Sequence, residues 1–271
     1  MGGPVIAIAI MTGLGLFFAS VLAIAYRFLR VDEDPRIELV VDMLPGTNCG
    51  ACGQPGCNAF AEKVVAGAEQ PSSCTVSSPS AIQEIADALG VDAGEAVKRV
   101  ARLHCAGGRH TAPQMATYDG FSSCRAASVV AGGGKACGWG CLGLGDCDRA
   151  CTFDAIHMNN ALLPVVTPAL CTACGDCVDV CPKDLFELLP IDLPLLVQCS
   201  VPLAGEAASS LCSVACDACG LCALDGATGL ITMDGNLPVI DTAAGGPPGP
   251  EAVRRCPTGA IQWLETPQQF P

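Results

Sequence analysis

Residues 171–182 read Cys171-Thr172-Ala173-Cys174-Gly175-Asp176-Cys177-Val178-Asp179-Val180-Cys181-Pro182. The spacing Cys-x2-Cys-x2-Cys-x3-Cys-Pro is that of a [4Fe–4S] run. Three thiolates on one tight loop hold three irons of a cube. The fourth, just before the proline, points elsewhere and ligates a second cube. Zinc is the rival for any cysteine group. Structural zinc usually takes two separated pairs, which leaves no place for a third cysteine two residues on.

A partner for this run lies upstream, as Cys137-x3-Cys141-x5-Cys147-x3-Cys151. Its first spacings are stretched, with Gly138, Gly140, Gly143 and Gly145 giving the loop freedom. The crossed ligand rule then predicts one cluster on Cys137, Cys141, Cys147 and Cys181. The other takes Cys151, Cys171, Cys174 and Cys177. Thr152 stands where proline usually follows the fourth cysteine, a change that removes no ligand.

Two further groups flank this pair. Cys49-x2-Cys52-x4-Cys57, with Cys74 sixteen residues on, is a different cluster loop. There Gly50, Gly53 and Gly56 let backbone amides approach the sulfides, which raises the reduction potential. Toward the C-terminus, Cys216-x2-Cys219-x2-Cys222 is joined by Cys256-Pro257. The fourth cysteine expected near residue 226 is missing, and so is a second triple before Cys256. The two losses match each other, and one cluster is expected here. Sixteen cysteines are thus assigned to [4Fe–4S] clusters, three on the stronger motifs and a fourth in the tail. Cys105, Cys124, Cys199 and Cys212 remain, and no pair among them has short ligand spacing. Buried free thiols are expected for them, with Cys212, four residues before Cys216, an alternative ligand.

The 271 residues include 31 Gly and 20 Pro, with 4 % aromatics, which favours small turn-rich modules over one large core. The fold class expected is α+β. A transmembrane anchor (1–28) precedes a small [4Fe–4S] domain with helices (29–104) and a Gly/Ser-rich linker (105–135). A two-cluster bacterial-ferredoxin-like domain (136–190) and a degenerate one-cluster copy (191–271) follow. DAIHMNNALLPVV and GLITMDGNLPVID mark the repeat, and 243–252 is a loop insertion in the second copy. In 79–104 two helices are expected. Ser80 would cap one carrying Ile82, Ile85, Ala86 and Leu89, and Asp92 one carrying Val97, Val100 and Leu103.

Pro4–Tyr26 is an uncharged apolar run, longer than the ~20 residues that cross a bilayer as a helix. A signal peptide would carry a basic start and a shorter apolar stretch. Arg27 and Arg30 follow the run and no Lys or Arg precedes it, which predicts a cytoplasmic C-terminal bulk. That side is reducing, and disulfides are rare there. The net charge of −13 argues against nucleic acid and suits docking on basic patches of redox partners.

GGGK at 132–135 is no phosphate loop, because Val129 and Ala136 break the pattern. His104, His110 and His157 lack ligand spacing, and no acid/base or nucleophile set is present. The chemistry belongs to the cofactors.

The apolar helix, CGACGQPGC (49–57) with its distal Cys74, and then a cluster pair containing GCLGLGDC (140–147) occur in one order. That order resembles the B-subunit (RnfB/RsxB) family of Rnf ion-translocating electron-transport complexes, over nearly the whole chain. The tail resembles the extra ferredoxin unit of longer, clostridial-type members, with one cluster fewer. The resemblance implies an enzyme-complex subunit, a translocase of the ferredoxin/NAD oxidoreductase class, that carries electrons without catalytic side chains of its own. It implies the bacterial inner membrane, other membrane subunits as partners, and soluble ferredoxin as donor. The alternative is an anchored polyferredoxin serving another membrane oxidoreductase or reducing a regulatory protein.

Overall fold

In a computed structural model, the structure describes residues 3–29, 34–95, 97–241, 246–265, 268 and 270. Arg30, and residues 243–245 of the expected insertion, lie outside them. The apolar run forms α1 (Gly3–Leu29). Its stretch Ile8–Phe28 has mean hydropathy 2.3 and none of it is buried, so by length and composition it can cross a membrane.

Three helices build the next module: α2 (Pro35–Met43), α3 (Cys57–Val65) and α4 (Pro79–Leu89). Their apolar faces meet at Val40, Phe60, Val64 and Ile85, all essentially buried. Asp34 caps α2, and α4 is capped by Ser78, whose Oγ accepts the Ala81 N–H at 3.2 Å. The cap is therefore two residues earlier than expected, with Pro79 in the first turn, where its missing N–H costs nothing.

The expected second helix is a strand instead, β1 (Arg99–Leu103). Its antiparallel partner is β4 (Phe186–Pro190), with Val100 opposite Leu189 and Leu103 opposite Phe186. Pairing with a segment far along the chain overrides the local helical spacing. It also carries residues 99–103 out of the small N-terminal module and into the first ferredoxin-like unit. That unit continues through α5 (Cys124–Val129), α6 (Asp146–Ala150), the hairpin β2 (Ile156–Met158) and β3 (Pro164–Val166), and α7 (Asp176–Val180). Its core is Val100, Leu103, Ile156, Leu163 and Leu185.

The second unit repeats this order. Strand β5 (Leu195–Val197) is followed by α8 (Gly205–Ser209), α9 (Leu221–Asp225), the hairpin β6 (Ile231–Asp234) and β7 (Leu237–Ile240), α10 (Glu251–Arg254) and β8 (Ile261–Trp263). The outer strands β5 and β8 pair antiparallel, as β1 and β4 do. The two hairpins likewise correspond. The two units thus share one element order, and each begins upstream, at the strand before its first cysteine.

The units meet where β1 and β5 end. Ala106 N–H donates to the Gln198 carbonyl at 3.0 Å, and Ser200 Oγ to the His104 carbonyl at 2.9 Å. His104 spans the seam, its Nδ1 2.8 Å from the Val197 carbonyl and its Nε2 2.9 Å from Glu187. Residues 105–135 are not a free linker, since Cys105, Ala106, Ala112, Cys124 and Ala127 are all buried.

Candidate metal centres

Cys49, Cys52, Cys57 and Cys74 line one pocket at the start of α3. Gly50 (φ 73°) and Gly53 (φ 79°) take the left-handed turns that wrap the loop around it. Asn48 Oδ1 accepts the Cys57 N–H at 2.8 Å and so ties the loop to the start of α3. A Cβ on Gly56 would stand 2.9 Å from that oxygen. Ser77 Oγ donates to Cys74 Sγ at 3.1 Å, and burial pushes the Cys52 thiol up.

Three loops downstream share a backbone signature. In 171–177 the left-handed residues are Ala173 (φ 57°) and Gly175 (φ 93°). In 216–222 they are Ala218 (φ 63°) and Gly220 (φ 69°), and in 141–147 Gly143 (φ 72°) and Gly145 (φ 75°). A left-handed alanine is uncommon, so its occurrence in one frame of two loops marks a shared requirement. In each, the glycine opens a short helix that carries the loop's last cysteine.

Superposing the frames sets Cys141 with Cys171 and Cys147 with Cys177, and puts Leu144 where Cys174 and Cys219 stand. Another thiol lies close by. Cys124, at the start of α5, lines a pocket with Cys141, Cys147 and Cys181. Ser123 Oγ and the Arg125 N–H both bind Asp146 Oδ2, at 2.9 and 3.2 Å, and so hold α5 against α6. This corrects the expected grouping. Cys137 is not in this cavity; it lines another with Cys105, Cys199 and Cys212. Nor are Cys105, Cys124, Cys199 and Cys212 isolated thiols.

Cys151, Cys171 and Cys174 all lie near Cys177. The Cys177 thiol is pushed up to about 12 by burial first, then by the nearby thiolates of Cys171, Cys174, Cys147 and Cys151. Backbone amides face this group, Ala101 N–H lying 3.5 Å from Cys171 Sγ and Ala155 N–H 3.4 Å from Cys151 Sγ. Cys216, Cys219, Cys222 and Cys256 also converge. Burial, then the Cys199, Cys222 and Cys256 thiolates, push Cys216 up to about 11. Burial also raises Cys219 and Cys222, followed at Cys219 by Asp217 and then Cys256, and at Cys222 by Cys256.

The residues fit clusters. All twenty cysteines are free thiols, and the sets are lined by thiols facing backbone N–H donors. Among the described residues no three His, Cys, Asp or Glu side chains approach closely enough to hold a single ion. A zinc tetrahedron with Zn–S of about 2.3 Å would draw its sulfurs to within about 4 Å of one another; a cube holds them farther apart. Arg102 is a second sign. It is 4 % exposed, its Nε and Nη1 are buried without a hydrogen-bond partner, and it lies within electrostatic reach of Cys171. A buried cation of this kind calls for an anion, and a thiolate-ligated cluster is one.

Two family models match the chain. The FeS model, for an Fe-S cluster, covers residues 44–76, and the Fer4 model, the 4Fe-4S binding domain, covers residues 164–187. Among curated proteins, the B subunit of the Na(+)-translocating ferredoxin:NAD(+) oxidoreductase complex of Acetobacterium woodii is 42% identical over 86% of this chain and 70% of its own length. The B subunit of the ion-translocating oxidoreductase complex of Methanosarcina acetivorans is 34% identical over 94% of this chain and 96% of its own. The proton-translocating counterpart of Clostridium ljungdahlii is 36% identical over 97% and 93%.

Proposed function

The chain belongs to the B-subunit family of ion-translocating oxidoreductase complexes, and we propose that it is the cytoplasmic electron-input arm of such a complex. It is an iron–sulfur electron-transfer subunit. When bound, the clusters supply one-electron exchange without bond making. The chain's own residues hold them in apolar pockets, present amide donors to the sulfurs and fix their spacing.

Four ligand sets belong to this reading. They are Cys49, Cys52, Cys57 and Cys74; Cys124, Cys141, Cys147 and Cys181; Cys151, Cys171, Cys174 and Cys177; and Cys216, Cys219, Cys222 and Cys256. The observation that carries it is the shared backbone frame of the three loops at 141–147, 171–177 and 216–222. The N-terminal helix anchors the arm in the bacterial inner membrane, and the charge at Arg27 favours clusters on the cytoplasmic side. Soluble ferredoxin is the donor, and the other complex subunits are the acceptors.

Anaerobic affinity purification of the anchored chain, followed by mixing with reduced ferredoxin, tests the proposal. Co-purification of several membrane subunits and rapid bleaching of the cluster absorbance are expected. Recovery of the chain alone, with no electron uptake from ferredoxin, would contradict it.

A further inference from the structure

Cys105, Cys137, Cys199 and Cys212 line a single pocket at the seam between the two ferredoxin-like units. No local motif announces this group, because its members come from four separate segments. The repeat explains it. Cys105 lies two residues after the end of β1, and Cys199 two residues after the end of β5. Cys137 precedes Cys141 by four residues, as Cys212 precedes Cys216 by four. Each unit therefore contributes the same two positions, and the set has approximate two-fold symmetry.

Geometry beyond the cavity agrees. Cys105, Cys137, Cys199 and Cys212 are all buried. The thiolates of Cys105, Cys137 and Cys199 all lie within electrostatic reach of Cys212. A Cβ on Gly107 would stand 3.0 Å from Cys212 Sγ and 3.7 Å from Cys105 Sγ, so a larger residue would crowd this side. Lys135 supplies a cation at the edge. Its Nζ donates to the Gly107 carbonyl, and to the Cys141 carbonyl at 2.6 Å.

Two hydrogen bonds tie the group to its neighbours. Cys141 N–H donates to Cys105 Sγ at 3.3 Å, and Cys216 N–H to Cys199 Sγ at 3.2 Å. Cys141 belongs to the set in the first unit and Cys216 to the set in the second. One side of the seam group therefore touches each.

We propose that Cys105, Cys137, Cys199 and Cys212 ligate a fifth [4Fe–4S] cluster, which joins the first ferredoxin-like unit electrically to the second. The inference rests on the cluster-carrier reading above. All twenty cysteines then become ligands, in five sets of four. The seam cluster takes one electron as its neighbour on one side is oxidised, and releases it as its neighbour on the other side is reduced. No proton or covalent bond changes. The second unit, with a single cluster of its own, is then wired to the first rather than stranded.

The test is native mass spectrometry of the full chain, purified anaerobically, with iron and acid-labile sulfide assays on the same sample. Five clusters and about twenty Fe per chain are expected, at four iron atoms per cube. Cys212→Ala should lose one cluster while the EPR signals of the other four persist. If that variant fails to fold, the wild-type mass alone still decides. Four clusters with about sixteen Fe, or four clusters plus one zinc, would overturn the fifth site and leave the carrier reading standing. A chain without clusters would sink both.

Discussion

Arg255 forks onto Asp225, with Nε 2.7 Å from Oδ2 and Nη2 2.5 Å from Oδ1. The pair joins the end of α9, three residues beyond Cys222, to the residue just before Cys256. It thus clamps the two chain segments that supply the tail set.

Arg255→Gln should loosen that set alone. Chelator-driven iron loss should show a fast phase worth one cluster, with the others releasing as in the wild type. The Asp225 carboxyl is held below its ordinary value by the Arg255 hydrogen bonds. A depressed carboxylate stabilises the fold above the unfolded value and loses that effect as pH falls through the folded one. The gap between variant and wild type should therefore be full near neutrality and close below about pH 4. An equal release rate at pH 7 would count against the clamp.

If the proposed set Cys151, Cys171, Cys174 and Cys177 holds a cluster, Arg102 is the cation placed to tune its potential, through Cys171. A buried guanidinium favours the more negative, reduced state. At an effective dielectric constant near 20, a charge several ångströms away contributes about 2–3 kcal/mol, or on the order of 100 mV for one electron. Arg102→Gln should lower one midpoint by roughly that amount in an EPR-monitored titration and leave the rest in place. An unchanged set of midpoints would show that Arg102 faces no cluster.

Cys124→Ala and Cys181→Ala should remove the same cluster, although the two residues lie far apart in sequence. Cys137→Ala should leave that cluster intact. EPR of the three variants separates this ligand set from the one expected from spacing. If Cys137→Ala and Cys181→Ala share a lost signal while Cys124→Ala keeps it, the reassignment is wrong.

Removal of residues 1–29 from a chain expressed without the other subunits should release it from membranes without loss of iron, since no part of the apolar stretch Ile8–Phe28 is buried against the rest. Fractionation with iron assay checks this. A truncated chain that stays in the membrane fraction would place the anchor elsewhere.

Much of this was legible in the sequence, and for a definite reason. A Cys-x2-Cys-x2-Cys loop is a local object, so its spacing carries its geometry, as at 171–177. The anchor is equally local. What escaped depends on contacts between distant segments. β1 reads as a helix by its own spacing and becomes a strand only against Phe186–Pro190. Cys124 lines the pocket where Leu144 offers no thiol, yet lies twenty residues upstream of it. A signal did exist there. Residues 141–151 keep the frame Cys-x2-Leu-x2-Cys-x3-Cys, which names the missing position. The seam cysteines could be found only by aligning the two copies from their first strands, a register that the structure supplies.

Metal analysis of the anaerobically purified full chain tests the central claim most directly. The account predicts iron and acid-labile sulfide in equal amounts, about sixteen to twenty of each per chain at four per cysteine set, with negligible zinc. Stoichiometric zinc with little iron would contradict it.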